Sequence, residues 1–418
     1  MTSRERIRAA LAHREPDRVP MDFGATGVTG IAASAAHKIR VALGLSAPGE
    51  PVKVVEPYQM LGEIAPDLRK ALGIDTVGLG GRTLFGFENK DWKPWRLFDG
   101  TPVLVPGGFN TEPSGDGAIL MYPEGDRSAP PSGRMPAGGY YFDTIVRQPP
   151  IVESRLRVED NLEEFAPLSG EELAAIGAQV SELFTGTNLT IVASSLSTSF
   201  GDIALVPAPF LKHPKGIRDV EEWYVSTVTR REFVREIFAR QCDIGIGNLE
   251  RTHEVVGDRI AVLFVTGADF GTQRGPFISP ETYRDLYRPF HKRVNDWVHA
   301  NTAWRTFIHS CGGVEPLIAD FIEAGFDILN PVQCSAQGMD PAHLKRTYGD
   351  RVTFWGGGID TQRTLPFGTP EQVREEVKRR VEVFADGGGF VFNAIHNIQA
   401  NTPIENMTAM FEAFDECR

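Results

Sequence analysis

An imidazole and a thiol two residues apart, in His309-Ser310-Cys311-Gly312-Gly313, close the apolar run Trp304-Arg305-Thr306-Phe307-Ile308. Alternate residues of an extended chain point the same way, so both side chains can reach one ion at the end of a strand. Sulfur and imidazole nitrogen are the donors that zinc favours, and two of them make only half a site. A third candidate is His396, which ends a second apolar run, Phe390-Val391-Phe392-Asn393-Ala394-Ile395. If both runs are strands of one parallel barrel, their tips meet on the same face, and the set His309, Cys311, His396 holds Zn²⁺. Cys334, in Pro331-Val332-Gln333-Cys334, is the rival third ligand, and its plainer reading is a small buried residue. Cys242 falls inside a predicted helix and Cys417 at the extreme C-terminus, and both are read as inert.

Further polar residues sit where strands end. Asp22 ends the strand within the first apolar run and Asp269 follows the fourth, and either carboxylate suits a catalytic proton shuttle or a partner that orients a zinc imidazole. Gln333, after the sixth run, and Tyr58 with Gln59, ahead of the second, are candidates for substrate binding. Ser194, Ser195 and Ser197 have no convincing histidine partner, so serine hydrolysis is unsupported.

The elements that must position these groups form a regular series. Apolar runs fall at residues 19–24, 76–79, 189–193, 260–265, 304–309, 326–330, 352–356 and 389–396. Helical segments separate them, expected over 220–248, from the Ser279-Pro280 start to about 299, over 314–324 before Gly325, and from Thr369-Pro370 to about Gly387. A last helix follows Thr402-Pro403-Ile404-Glu405, with Glu405 placed to complete a capping box. Continuously apolar strands that alternate with helices imply a parallel sheet covered by helices. Eight such units favour an α/β fold of the (β/α)₈ TIM-barrel kind, and no G-x-G-x-x-G follows the first strand to suggest a dinucleotide fold.

The chain reads as a single domain, 1–418, with an insertion at about 82–188 that is rich in Gly, Pro and aromatics. Within it, residues 95–105 read as a hairpin around Asp99-Gly100, and 118–122 and 139–143 as short strands. Its position after the second strand makes it a candidate lid.

The 418 residues carry 43 Lys+Arg against 55 Asp+Glu, a net −12, which disfavours nucleic acid and anionic membrane as partners. Four cysteines in so long a chain do not make a disulfide framework. The charged opening Met1-Thr2-Ser3-Arg4-Glu5-Arg6 lacks an apolar stretch, so a cytoplasmic setting is expected.

Several of these motifs together resemble the uroporphyrinogen decarboxylase superfamily, in particular its zinc-dependent corrinoid methyltransferase branch. They are Arg14-Glu15-Pro16-Asp17-Arg18-Val19-Pro20, His309-Ser310-Cys311-Gly312, Asn330-Pro331-Val332-Gln333, Trp355-Gly356-Gly357-Gly358-Ile359-Asp360-Thr361 and Thr402-Pro403-Ile404-Glu405-Asn406. The resemblance implies methyl transfer between a small methylated substrate, O-methyl favoured, and a corrinoid (cobalamin) supplied by a partner protein. It is compatible with a homo-oligomer. In those methyltransferases zinc is held by a His-x-Cys pair and a later cysteine, whose place falls here on His396. One thiolate and two neutral imidazoles then leave the site at a formal +1, a stronger Lewis acid than a two-thiolate site. The decarboxylase reading suffers from the segment after the first run, Phe23-Gly24-Ala25-Thr26-Gly27-Val28-Thr29-Gly30. It offers no cation before Lys38 to meet a polycarboxylate substrate. A non-catalytic zinc-containing barrel that binds a small molecule is the further alternative.

Overall fold

Seven parallel strands form one sheet, in the spatial order Phe390–Val391, Thr353–Trp355, Ile328–Asn330, Arg305–His309, Val262–Thr266, Thr190–Ala193 and Thr76–Gly78. The structure is a computed structural model and describes residues 1–194 and 196–418. Residues 20–22 connect the two edges of that sheet. Met21 bridges Phe392 in parallel, Asp22 N–H donates to Phe392 O at 3.0 Å, and Asp75 N–H donates to Met21 O at 2.8 Å. The sheet is therefore curled, in a TIM-barrel-like α/β fold, and each of the expected apolar runs contributes to it.

Two apolar layers hold the sheet. Inside it, Val192, Val262, Phe307, Ile328, Trp355 and Val391 form one buried cluster with Ile7, Ala10 and Leu11 of the helix Ser3–Leu11. That helix lies across the N-terminal ends of the strands, where Arg4 N–H donates to Asn188 O and Gly389 N–H to Ala10 O. The plug closes the end opposite the strand tips, so a site can open at the other end only. Outside the sheet, helices pack over a larger cluster that includes Phe238, Tyr287, Phe321 and Phe384.

The covering helices start where their caps dictate. Ser279 accepts from Thr282 N–H, and Thr369 forms a capping box with Gln372. Two expectations need correction. The segment 220–248 is split, as Val220–Thr229 and Arg231–Val256, because Arg230 leaves helical geometry (φ −129°, ψ 43°). Glu405 makes no capping box, since the cap of Ile404–Cys417 is Pro403, which has no side-chain acceptor and puts Glu405 one position early.

Between the second and third strands the chain builds small sheets, one of them extended by Val52–Glu56, which pairs in parallel with Pro102–Val105. The hairpin Lys93–Arg96 with Pro102–Val105 has Gly100 at φ +85° in its turn, as the Asp-Gly signal implies. Ile119–Met121 is a strand. Residues 139–142 are not: a turn with Gly138 at φ +73° occupies that stretch, and the strands fall at Gly133–Met135 and Asp143–Thr144 instead. All four cysteines are free thiols, and no described helix is long and apolar enough to cross a membrane.

Candidate metal centre

The strand Arg305–His309 ends on its imidazole, and Cys311 follows immediately. Ser310 Oγ accepts from Phe270 N–H at 2.8 Å, turning that residue towards the loop after Val262–Thr266. His309 and Cys311 consequently face the same point, with Nε2 and Sγ 3.3 Å apart. Gly312 makes this turn possible. Its φ is +87°, and a Cβ there would lie 2.3 Å from the carbonyl carbon of Gly271.

His396 comes from the far end of the barrel sequence to the same place. Its ring centroid lies 5.2 Å from that of His309, and one ligand atom from each of His309, Cys311 and His396 falls within 4.8 Å of the others. His396 has φ +65°, an uncommon left-handed conformation for a non-glycine residue and one that clusters at functional sites. Tetrahedral zinc with bonds of about 2.3 Å to sulfur and about 2.0–2.1 Å to nitrogen sets those donors about 3.5 Å apart. The His309–Cys311 separation matches this, and the donor set of one sulfur and two nitrogens is a zinc set. Asp269 adds a carboxylate: Oδ1 accepts from Cys311 N–H at 2.6 Å and lies 3.7 Å from His309 Nε2.

Burial sets the charges of the metal-free cluster. It pushes His309 down to about 4, against the hydrogen bond that the ring makes to Asn330 Oδ1. It pushes His396 down to about 4 as well, with the His309 charge adding to the effect. The Cys311 thiol is raised well above its ordinary value by burial and then by the Asp269 charge, and burial also raises Asp269. A neutral pair of imidazoles is what a cation needs, and a cation would reverse the thiol's preference.

A cavity of about 860 Å³ opens over Cys311 and His396, lined also by Gln59, Gln333, Tyr140, Tyr141 and Phe367. Gln333 Oε1 accepts from Gly312 N–H at 2.7 Å, and its Nε2 makes no hydrogen bond among the described residues. Gln59 Oε1 accepts from Asn397 Nδ2 at 2.8 Å, tying the cavity wall to the residue after His396.

Other expected residues lie elsewhere. Asp22 is fully buried and outside the cavity wall; Thr76 Oγ1 and Ala25 N–H bond one oxygen, and Trp355 Nε1 the other at 2.9 Å. With its oxygens so engaged, it braces strands and is no proton shuttle. Tyr58 points inward: its hydroxyl bonds Ser132 Oγ at 2.8 Å and donates to Pro209 O at 2.9 Å. The tight turn at Met60 (φ +54°) sends Gln59 to the cavity and Tyr58 into the core, so Tyr58 anchors the inserted segment rather than a substrate. Cys334 Sγ donates to Val332 O at 3.2 Å and lines a separate cavity, apart from the cluster. Ser195 lies outside the described residues; neither Ser194 nor Ser197 bonds a histidine among the described residues.

Asn330, Asn397, Tyr140, Tyr141 and Phe367 were not assigned roles from sequence. Asn330 had a usable signal: it ends the neighbouring strand at the register position opposite His309.

Comparison with known proteins bears on all of this geometry. Residues 248–417, which hold all three candidate ligands, match the family model described as Uroporphyrinogen decarboxylase (URO-D). This part of the chain is similar to the uroporphyrinogen decarboxylase family. Among curated relatives, a methylcobamide:CoM methyltransferase MtaA of Methanosarcina barkeri is 30% identical over 151 residues, 36% of this chain and 42% of that protein. A uroporphyrinogen decarboxylase of Pseudoalteromonas translucida is 34% identical over 150 residues, 34% of this chain and 39% of that one. The chain thus spans less than half the length of either curated relative. A solved structure of a methyltransferase from Methanosarcina mazei has the same fold, with a TM-score of 0.54 at 16% identity, covering 100% of this chain and 99% of that one.

Proposed function

We propose that this protein is a zinc-dependent methyltransferase, moving a methyl group between a small methylated substrate and a corrinoid carried by a partner protein. The observation that carries this reading is the convergence of His309, Cys311 and His396 within 4.8 Å beneath an open cavity. Zinc bound there by those three residues would supply Lewis-acid polarisation of the substrate's heteroatom, with a fourth position left for it. Relatives named as methyltransferases support the same reaction class.

The chain's own residues have definable parts in that chemistry. Asp269 holds the Cys311 backbone through its N–H and keeps a carboxylate 3.7 Å from His309 Nε2, where it can balance the centre's positive charge. Gln333 presents its Nε2 donor at the cavity wall, and Gln59 holds the Asn397 side chain. Tyr140 and Tyr141 bring the 82–188 segment to the cavity, which supports its reading as an insertion of a single 1–418 domain that acts as a lid and excludes water. An O-methyl substrate suits a cavity walled by amides, hydroxyls and aromatic rings. Docking of the corrinoid protein over the same opening, and a cytoplasmic setting, complete the proposal.

Decarboxylation of a polycarboxylated tetrapyrrole is disfavoured by the wall itself. Among the described residues that line the cavity, none is Lys or Arg, so many carboxylates would enter without counter-charge.

The test is direct. Zinc-loaded protein is mixed with cob(I)alamin and a panel of methoxylated compounds, and methylcobalamin formation is followed by absorbance. Transfer by the wild type, lost in His309→Ala, supports the proposal. Absence of transfer across the panel, together with decarboxylation of uroporphyrinogen by metal-free protein, would overturn it.

A further inference from the structure

We infer that Asn330 is a positioning residue that fixes the tautomer of His309, so that its Nε2 lone pair faces the metal position before any ion arrives. This rests on the metal-site reading above for its purpose, but not for its geometry.

The reasoning starts from a group whose role cannot vary. The backbone carbonyl of Trp355 can only accept. Asn330 lies 2.6 Å from it, so the amide must turn its Nδ2 that way and donate. Asn330 is fully buried, and this bond settles which end of its amide is which. Its Oδ1 then faces His309 Nδ1 at 2.5 Å. An amide oxygen cannot donate, so Nδ1 must carry the imidazole proton. In a neutral ring with its proton on Nδ1, Nε2 holds a free lone pair, and Nε2 is the atom 3.3 Å from Cys311 Sγ. A carbonyl on one strand thereby selects, through an amide on the next, which nitrogen a third strand offers.

The backbone supports the same relay. His309 and Asn330 are register partners on adjacent parallel strands, and Ser310 N–H donates to Asn330 O at 2.8 Å. Trp355 is itself pinned, through Nε1 to Asp22 Oδ2 at 2.9 Å. All five residues are buried to within 2% exposure, so water cannot substitute for a lost partner.

His396 is an internal contrast. Its Nδ1 lies 2.8 Å from the N–H of Asn397, a group that can only donate. Its Nδ1 therefore accepts, and the neutral ring carries its proton on Nε2. His309 and Cys311 form the standing pair, and His396 completes the set only by giving up its bond to Asn397 or its Nε2 proton.

The experiment uses the full chain labelled with ¹⁵N-histidine, first metal-free. Nitrogen shifts and their couplings to ring protons should show His309 with Nδ1–H and His396 with Nε2–H. A wild-type His309 with its proton on Nε2 overturns the inference whatever any variant does. Asn330→Leu, which loses both bonds, should leave His309 a mixture of tautomers and weaken zinc binding, measured by chelator competition, by about 10–100-fold. Asn330→Asp keeps an acceptor for Nδ1–H and should retain the tautomer. If Asn330→Leu folds but leaves both tautomer and zinc affinity unchanged, Asn330 is a packing residue only and the inference falls. Should the wild type bind no zinc, the methyltransferase reading fails, and the tautomer measurement still decides this inference alone.

Discussion

Cys311 Sγ lies 3.3 Å from His309 Nε2, while the peptide N–H of Cys311 donates to Asp269 at 2.6 Å. The thiol is thus held both by its own strand and by the loop from the strand beside it. The expected effects of substitution follow from this double anchoring.

Replacing Cys311 by serine removes the only sulfur of the set. Zinc affinity should fall by two or more orders of magnitude, read by chelator competition. Cys334→Ala should leave affinity within about threefold of wild type, because that thiol is turned to Val332 O and a different cavity. A reversal of these two results would make Cys334 the true ligand.

Gly312→Ala should destabilise the protein by about 2–4 kcal/mol, as a strained left-handed residue whose Cβ meets backbone. The nearest atom would be only 2.3 Å away, so one of the two chains must shift. Chemical denaturation measures the loss, and zinc affinity should fall with it because the displaced backbone carries Cys311.

Trp355→Phe leaves a buried Asp22 oxygen without its 2.9 Å partner. The expected cost is about 1–3 kcal/mol of stability. Thermal unfolding should register it, while folded Asp22→Asn protein should keep its zinc, since Asp22 braces strands and does not touch the metal position. Loss of zinc at unchanged stability in Asp22→Asn would contradict that assignment.

Metal-free protein should lose stability in mild acid. Burial holds His291 down to about 3, and His309 and His396 down to about 4, from an ordinary 6.5. Each folded pKa is depressed, so the unfolded chain binds more protons between those values. The contribution is complete above about 6.5 and is lost as pH falls through the window towards 4 and 3. Where a histidine is protonated only in the unfolded state, the slope is about 1.4 kcal/mol per pH unit for each. Denaturation midpoints from pH 7.5 to 4.5 should fall accordingly, less steeply in His291→Gln.

Much of this was legible in sequence because periodicity carries it. Every apolar run found its place in the sheet or at its seam, and His309, Cys311 and His396 follow from strand tips meeting on one face. What failed depends on side-chain direction across strands. Asp22 ends its strand as a site residue would, but points into the interior, where Thr76 and Trp355 engage it. Tyr58 and Gln59 are neighbours in sequence, and one turn sends them to opposite sides. Asn330 lies within the Asn330-Pro331-Val332-Gln333 motif, yet its part emerges only from the register that sets it opposite His309.

Metal content is the most direct test of the central claim. Wild type, His309→Ala, Cys311→Ala and His396→Ala would be purified without chelators or added metal and measured by elemental analysis. One zinc per chain in the wild type, and clear loss in each variant, is the expected result. No zinc in the wild type, or zinc retained in His309→Ala and Cys311→Ala, would contradict a metal centre at these residues.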